Sequence, residues 1–180
     1  MNTKKIVITG GPGTGKTSII DELLQRKYVC LEEISRQVTL DAKKQGIDQL
    51  FLTEPLLFSD MLLEGRKSQF LEANSNTREL TFLDRGIPDI IAYMDYLGTT
   101  YPKRFNEACK NHKYDQVFIL APWQQIYVSD NERYENFDQA VQIHDHLVNS
   151  YSNFGYELFD VPFGSISSRA DFILNIVKYL

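Results

Sequence analysis

Five short apolar runs recur along the chain, and between them the apolar positions return at helical spacing. The runs are KIVIT (5–9), YVCLE (28–32), LTFLD (80–84), DQVFIL (115–120) and YELFDVP (156–162), with 115–120 the clearest buried strand. Continuous apolar runs of this length suit strands covered on both faces. Helices are expected over 15–26, 33–45, 54–74, 88–97, 102–111, about 137–152 and 165–180. Pro55 and Pro88 fall in first turns, where a missing amide N–H is tolerated, and Ser165 stands where a cap belongs. Strands that alternate with helices predict parallel pairing through right-handed crossovers, hence a doubly wound α/β sandwich. Such sheets bind ligands beyond the carboxyl ends of their strands. Five loops then matter: 10–17, 32–36, 84–88, 121–135 and 161–165.

The first of these is GGPGTGKTS (10–18). Glycine costs backbone entropy on folding, so four within six residues need a geometric reason. Gly10, Gly15, Lys16 and Thr17 fit G-x-x-x-x-G-K-[ST], the phosphate-binding loop, and the stretch lies between a strand and a helix as that loop requires. The backbone of Gly10, Gly11, Gly13, Thr14 and Gly15, continuing into Ser18, would curl its N–H groups around an anion. The helix aims its positive end at the same point. Lys16 would serve the outer phosphates and Thr17 would offer a hydroxyl to Mg²⁺.

Three further segments end on the same side. In LTFLDRGIPD (80–89), Asp84 closes an apolar strand and is placed to serve a metal or accept a proton. Arg85 beside it could grip an anionic oxygen; the competing reading makes Asp84 a cap for the helix at Pro88. In LEEISRQV (31–38), Glu33 and Arg36 are three apart, so they would share a helix face, either as a surface ion pair or turned toward the reaction site. In SDNERYENF (129–137), Arg133 could fold over the phosphates and stabilise transferring charge, or the segment is a solvated loop. The string HDH (144–146) points its two rings in different directions on a helix and reads as surface histidines. For Trp123, stacking on a base competes with the plainer reading of a loop aromatic packed on the core.

Composition narrows the class. The 180 residues suffice for one well-buried domain, expected to span 1–180, and 43% hydrophobic with 24% charged residues is ordinary globular usage. A net charge of −5 argues against a nucleic-acid-binding face, while leaving room for an anion in a local pocket. No window approaches the roughly eighteen apolar residues of a membrane span, and the start, MNTKKIVITGG, carries no apolar stretch of signal length. Cys30 and Cys109 are too few and too unpatterned for a zinc site or a disulfide framework. A soluble, cytoplasmic protein with reduced thiols is expected.

Among phosphate-loop proteins, a GTPase would need N-K-x-D after a later strand. The nearest string, NHKYD (111–115), has its lysine misplaced and its aspartate entering a strand. A ring-forming ATPase would need an additional helical lid domain, for which no residues remain.

Taken together, GGPGTGKTS (10–18), EEISR (32–36), FLDRGIPD (82–89), DNERYE (130–135) and YELFDVPFGSISSRADFIL (156–174) resemble the compact P-loop ATPase/kinase-like "AAA domain" proteins related to the nicotinamide riboside kinase domain. The resemblance implies a five-stranded parallel sheet in the order 2-3-1-4-5, the phosphate-loop strand lying next to the strand that ends in Asp84. It also implies Glu33, Arg36 and Asp84 around an acceptor, Arg133 on a lid, and the loop 160–165 with Pro162 beside an adenine. The expected activity is ATP- and Mg²⁺-dependent phosphoryl transfer to a small hydroxyl-bearing acceptor, nucleoside- or nucleotide-like, with 46–78 and 88–112 lining its pocket. Asp84 or Glu33 would orient or deprotonate the acceptor. The alternative is an ATP-binding switch that hydrolyses slowly and regulates a protein partner.

Overall fold

In the computed structural model, which describes residues 3–44, 46–47, 50–75, 78–127 and 135–179, the five apolar runs form one sheet. Strands β1 (Lys4–Gly10), β2 (Val29–Leu31), β3 (Leu80–Asp84), β4 (Gln116–Leu120) and β5 (Leu158–Asp160) lie in the order β2-β3-β1-β4-β5. Every pairing is parallel, with Ile8 opposite Asp84 on one side of β1 and opposite Phe118 on the other. The expected strand order is therefore the observed one.

Helices α1 (Lys16–Gln25), α2 (Ile34–Lys44), α3 (Leu50–Thr53), α4 (Pro55–Ser75), α5 (Ile87–Tyr96), α6 (Lys103–Asn111), α7 (Phe137–Asn153) and α8 (Ile166–Val177) cover both faces. Side chains alternate across a strand, and the central strands use both sides for core. Ile6, Ile8, Phe82, Phe118 and Leu120 pack with α1 and α8 through Ile19, Leu23, Ala170 and Ile173. Val7, Leu83 and Val117 face the opposite layer, where Phe70, Ile87, Ile90 and Phe105 meet them. Burying residues of this size contributes about 1.5–3 kcal/mol each, so these two faces dominate the fold's stability.

Helix starts follow the sequence signals with one change. Ser165 caps α8 by accepting the Ser168 N–H at 3.1 Å. Asp84 does not cap α5: Gly86 occupies the cap position, and the Asp89 carboxylate accepts the Gly86 N–H at 3.0 Å. The four-residue α3 went unread, being too short to show a period. NHKYD ends at the far edge of the sheet, where Asp115 accepts the Lys5 N–H at 2.8 Å. That is the end of β1 away from the glycine loop, so the string has no contact with a nucleotide site.

Candidate active site

The glycine loop leaves β1 at Gly10 and enters α1 at Lys16. Gly13 and Gly15 take φ values of 72° and 79°, a left-handed backbone that L side chains rarely adopt. Space forbids a side chain as well. A Cβ at Gly13 would collide with the Tyr127 ring, and one at Gly15 would meet Arg169 Nη1 at 2.9 Å. Thr14 is buried and donates its hydroxyl to the Gly11 carbonyl at 3.0 Å, which closes the curl. Thr17 is exposed in the first turn of α1 and Ser18 beside it is half-buried. The loop is held from outside, since Arg169 Nη1 donates to the Thr14 carbonyl at 3.0 Å.

Behind the loop, Lys16 is buried and hydrogen-bonds Asp84, with Glu33 Oε2 at 3.5 Å from its ammonium. Glu33 just precedes α2 and also accepts from Arg85 Nε at 2.7 Å and from the Ser35 hydroxyl at 2.8 Å. Arg85 holds φ 74° at the end of β3, and its N–H bonds the Ile8 carbonyl at 3.0 Å. Its guanidinium lies over the Tyr93 ring and reaches Asp89 Oδ1 at 3.2 Å.

Asp89 is the hub. Oδ1 also accepts from the buried Thr9 hydroxyl at 2.6 Å, and Oδ2 accepts from the Tyr151 hydroxyl at 2.5 Å. Arg66 of α4, 3% exposed, donates to the Gly86 carbonyl with Asp89 Oδ2 at 3.8 Å. Gln69, one turn on, donates to the Glu32 carbonyl at 2.6 Å, so α4 grips both motif turns.

The electrostatics follow from this pairing. Burial pushes the Glu33 carboxyl up, but Arg85, Lys16 and the Ser35 hydrogen bond outweigh it and hold the group well below the usual range. Asp89 behaves alike, with Arg66 and Arg85 overcoming its burial. Burial also tends to lower Arg85, yet Glu33 and its other anionic neighbours drive it well above the ordinary value. Tyr151 is driven well up by burial and by Asp89, so it stays a neutral donor. Burial pushes both thiols, Cys30 and Cys109, up to about 12, which leaves them unreactive.

Of the residues singled out in the sequence, the structure brings Lys16, Glu33, Asp84 and Arg85 together in one cluster. It mispaired Glu33: Arg36 is exposed on α2, and Glu33 turns instead to Arg85, fifty-two positions away. Arg133 lies outside the described residues. Pro162 and Phe163 are exposed after β5, and Trp123 stacks on Phe163 with centroids 4.9 Å apart. His144 and His146 are half-buried rather than surface residues, and burial lowers the pKa of His144. Arg66, Asp89, Tyr151 and Arg169 were missed. Arg66 carried a readable signal, a charge on the apolar stripe of α4 between Leu62, Leu63 and Phe70.

The glycine curl, the helix end and the buried lysine fit a polyphosphate. Thr17 and Asp84 add two oxygen donors, a partial set of the kind Mg²⁺ uses when phosphates complete its shell. Among the described residues no group of three or more His, Cys, Asp or Glu is arranged to hold a metal ion unaided. Nor is any described helix long and apolar enough to cross a membrane.

A glycine loop joining the central strand to a helix, with an acidic residue ending the neighbouring strand, defines a P-loop nucleotide-binding fold. The chain belongs to the AAA domain family, whose model matches residues 5–169. Solved structures agree on the fold. A deoxyadenosine kinase from M. mycoides bound to dCMP and dCDP superposes with a TM-score of 0.70 at 16% identity, over 98% of this chain and 100% of that one. A NadR protein in complex with NR gives 0.72 at 17% identity, over 97% of this chain and 50% of that one. Thymidylate kinase from Candida albicans gives 0.67 at 16% identity, over 99% and 92% of the two chains. No curated protein matches in sequence.

Proposed function

We propose that this protein is a small-molecule kinase that transfers a phosphoryl group from ATP to a hydroxyl-bearing acceptor of nucleoside or nucleotide type. The observation that carries the reading is the cluster behind the loop, where one buried lysine is shared by Asp84 and Glu33. A phosphate-binding loop needs the lysine; two carboxylates beside it are the equipment for handling an acceptor proton. A nucleotide switch has no use for the second. The kinase character of the structural neighbours supports the same reading.

In this mechanism the loop from Gly10 to Ser18 and the start of α1 bind the β- and γ-phosphates of ATP. Lys16 leaves Asp84 for the phosphate oxygens. Thr17 and Asp84 would hold Mg²⁺, which supplies charge neutralisation to the phosphates. Glu33, kept ionised by Arg85, accepts a hydrogen bond from the acceptor hydroxyl and points its oxygen at the γ-phosphorus. The acceptor oxygen bonds to that phosphorus, the bond to the bridging oxygen of ADP breaks, and the hydroxyl proton passes to a carboxylate. Withdrawal of Lys16 removes one of the cations that depress Glu33, so its proton affinity rises as the hydroxyl arrives. Arg36 and Arg85 border the acceptor, Arg133 serves the transferring charge, and Pro162 lies beside the adenine. The unit that does this is the whole span 1–180.

Acceptor-dependent ADP release is the test, with Mg-ATP and a panel of nucleosides, nucleoside monophosphates and sugars. Stimulation by at least one class is expected. A flat response across the panel, with ATP bound, would replace the kinase by the switch.

A further inference from the structure

Arg169, near the start of α8, is a charge that the transfer chemistry leaves unused. It is 2% exposed, and among the described residues no carboxylate pairs with it. Nη1 holds the Thr14 carbonyl of the phosphate loop at 3.0 Å, while Nε and Nη2 are buried without a hydrogen-bond partner among the described residues. The guanidinium lies 5.7 Å from the Trp123 ring centroid. Trp123 in turn stacks on Phe163 at an interplanar angle of 22°, and Phe163 is 54% exposed. Burying a guanidinium with no anion and two unmade hydrogen bonds is costly, so a ligand that completes it has a ready place. The group stands between two different surfaces, the phosphate loop on one side and an aromatic pair beyond β4 and β5 on the other. A nucleotide offers both matching parts, since phosphates suit the loop and a planar base suits the stack.

We propose that Arg169 is a positioning residue for the nucleoside part of the donor. Nη1 fixes the loop through Thr14, and Nε and Nη2 donate to oxygen or nitrogen atoms of the ribose or base as it settles against Trp123 and Phe163. The inference rests on the reading of ATP as donor. It ties base recognition to phosphate geometry through one side chain, so a misfitting base misplaces the loop.

Trp123 is the only tryptophan in the chain, so its emission reports on this place alone. In the wild type, AMP-PNP should alter that emission, whereas inorganic tripolyphosphate should bind without doing so. Arg169→Gln should weaken AMP-PNP on the order of tenfold more than it weakens tripolyphosphate, the scale for losing hydrogen bonds from a charged donor. Arg169→Lys keeps the charge without the fork and should restore only part of the loss. Equal weakening of both probes would make Arg169 a buttress of the phosphate loop alone, and no change in either would make it a packing residue; each overturns the proposal. Should both variants fail to fold, calorimetric binding of AMP-PNP to the wild type with unaltered Trp123 emission overturns it as well. That last result leaves the kinase reading intact, whereas a wild type that binds no AMP-PNP ends both.

Discussion

Asp89→Asn changes one oxygen to an NH₂ group at the centre of the buried network and leaves the shape alone. The carboxylate accepts from Thr9, Arg85, Tyr151 and the Gly86 N–H, and it is the anion shared by Arg66 and Arg85. An asparagine keeps one acceptor. Its NH₂ then faces either Arg85, which has no lone pair to offer, or the Gly86 N–H, which has none either. Two buried guanidinium groups lose their common counter-charge at the same time. Removing one partner of a buried pair costs about 3–5 kcal/mol, and retention of shape puts this case near 3 kcal/mol. For a chain of this size each kcal/mol moves Tm by roughly 2–4 °C, so a fall of about 6–12 °C is expected. Urea unfolding should show the midpoint drop with an unchanged slope, because the folded surface is the same. A loss below about 1 kcal/mol would refute the account of Asp89 as the anion that holds this core together.

Other outcomes follow from the same geometry. Lys16→Ala should abolish most of the ATP-dependent rise in Tm while the circular dichroism spectrum stays native, and its own Tm should drop because Asp84 loses its cation. Asp84→Asn should still bind ATP in the same thermal-shift assay, yet turnover should fall on the order of 10²-fold or more, the scale for losing a positioned carboxylate. Glu33 and Asp89 hold protons less tightly folded than unfolded. Their stabilising contribution is therefore complete above the unfolded values of about 4 and is lost as pH falls through the lower folded ones. Melting curves below pH 5 should show this loss, with a shallower decline in Glu33→Gln.

What the sequence disclosed was what lies close along the chain. The strand, the glycine loop and the helix after it are consecutive over residues 4–25, so their geometry is written locally. Asp84 was legible because it terminates an apolar run on the ligand side of the sheet. The true partner of Glu33 was not, since Arg85 reaches it only once β2 lies beside β3, whereas Arg36 was conspicuous by nearness. Asp89 and Tyr151 are polar groups on otherwise apolar faces of α5 and α7, and period alone assigns such positions to core without saying what they bond. His144 went astray in the same way, because partial burial on α7 is set by packing rather than by the HDH string.

Arg85 sits at φ 74°, in backbone territory where glycine would be at ease. A side chain there is held against a penalty of about 1–3 kcal/mol, which the surrounding contacts with Glu33, Asp89 and Tyr93 must over-determine. An engineer screening for thermostability would pick this turn, and Arg85→Gly would relax the backbone while stripping the half-buried Glu33 and the buried Asp89 of a cation. The turn thus marks where comfort of the main chain and the charge pairing of the site pull in opposite directions.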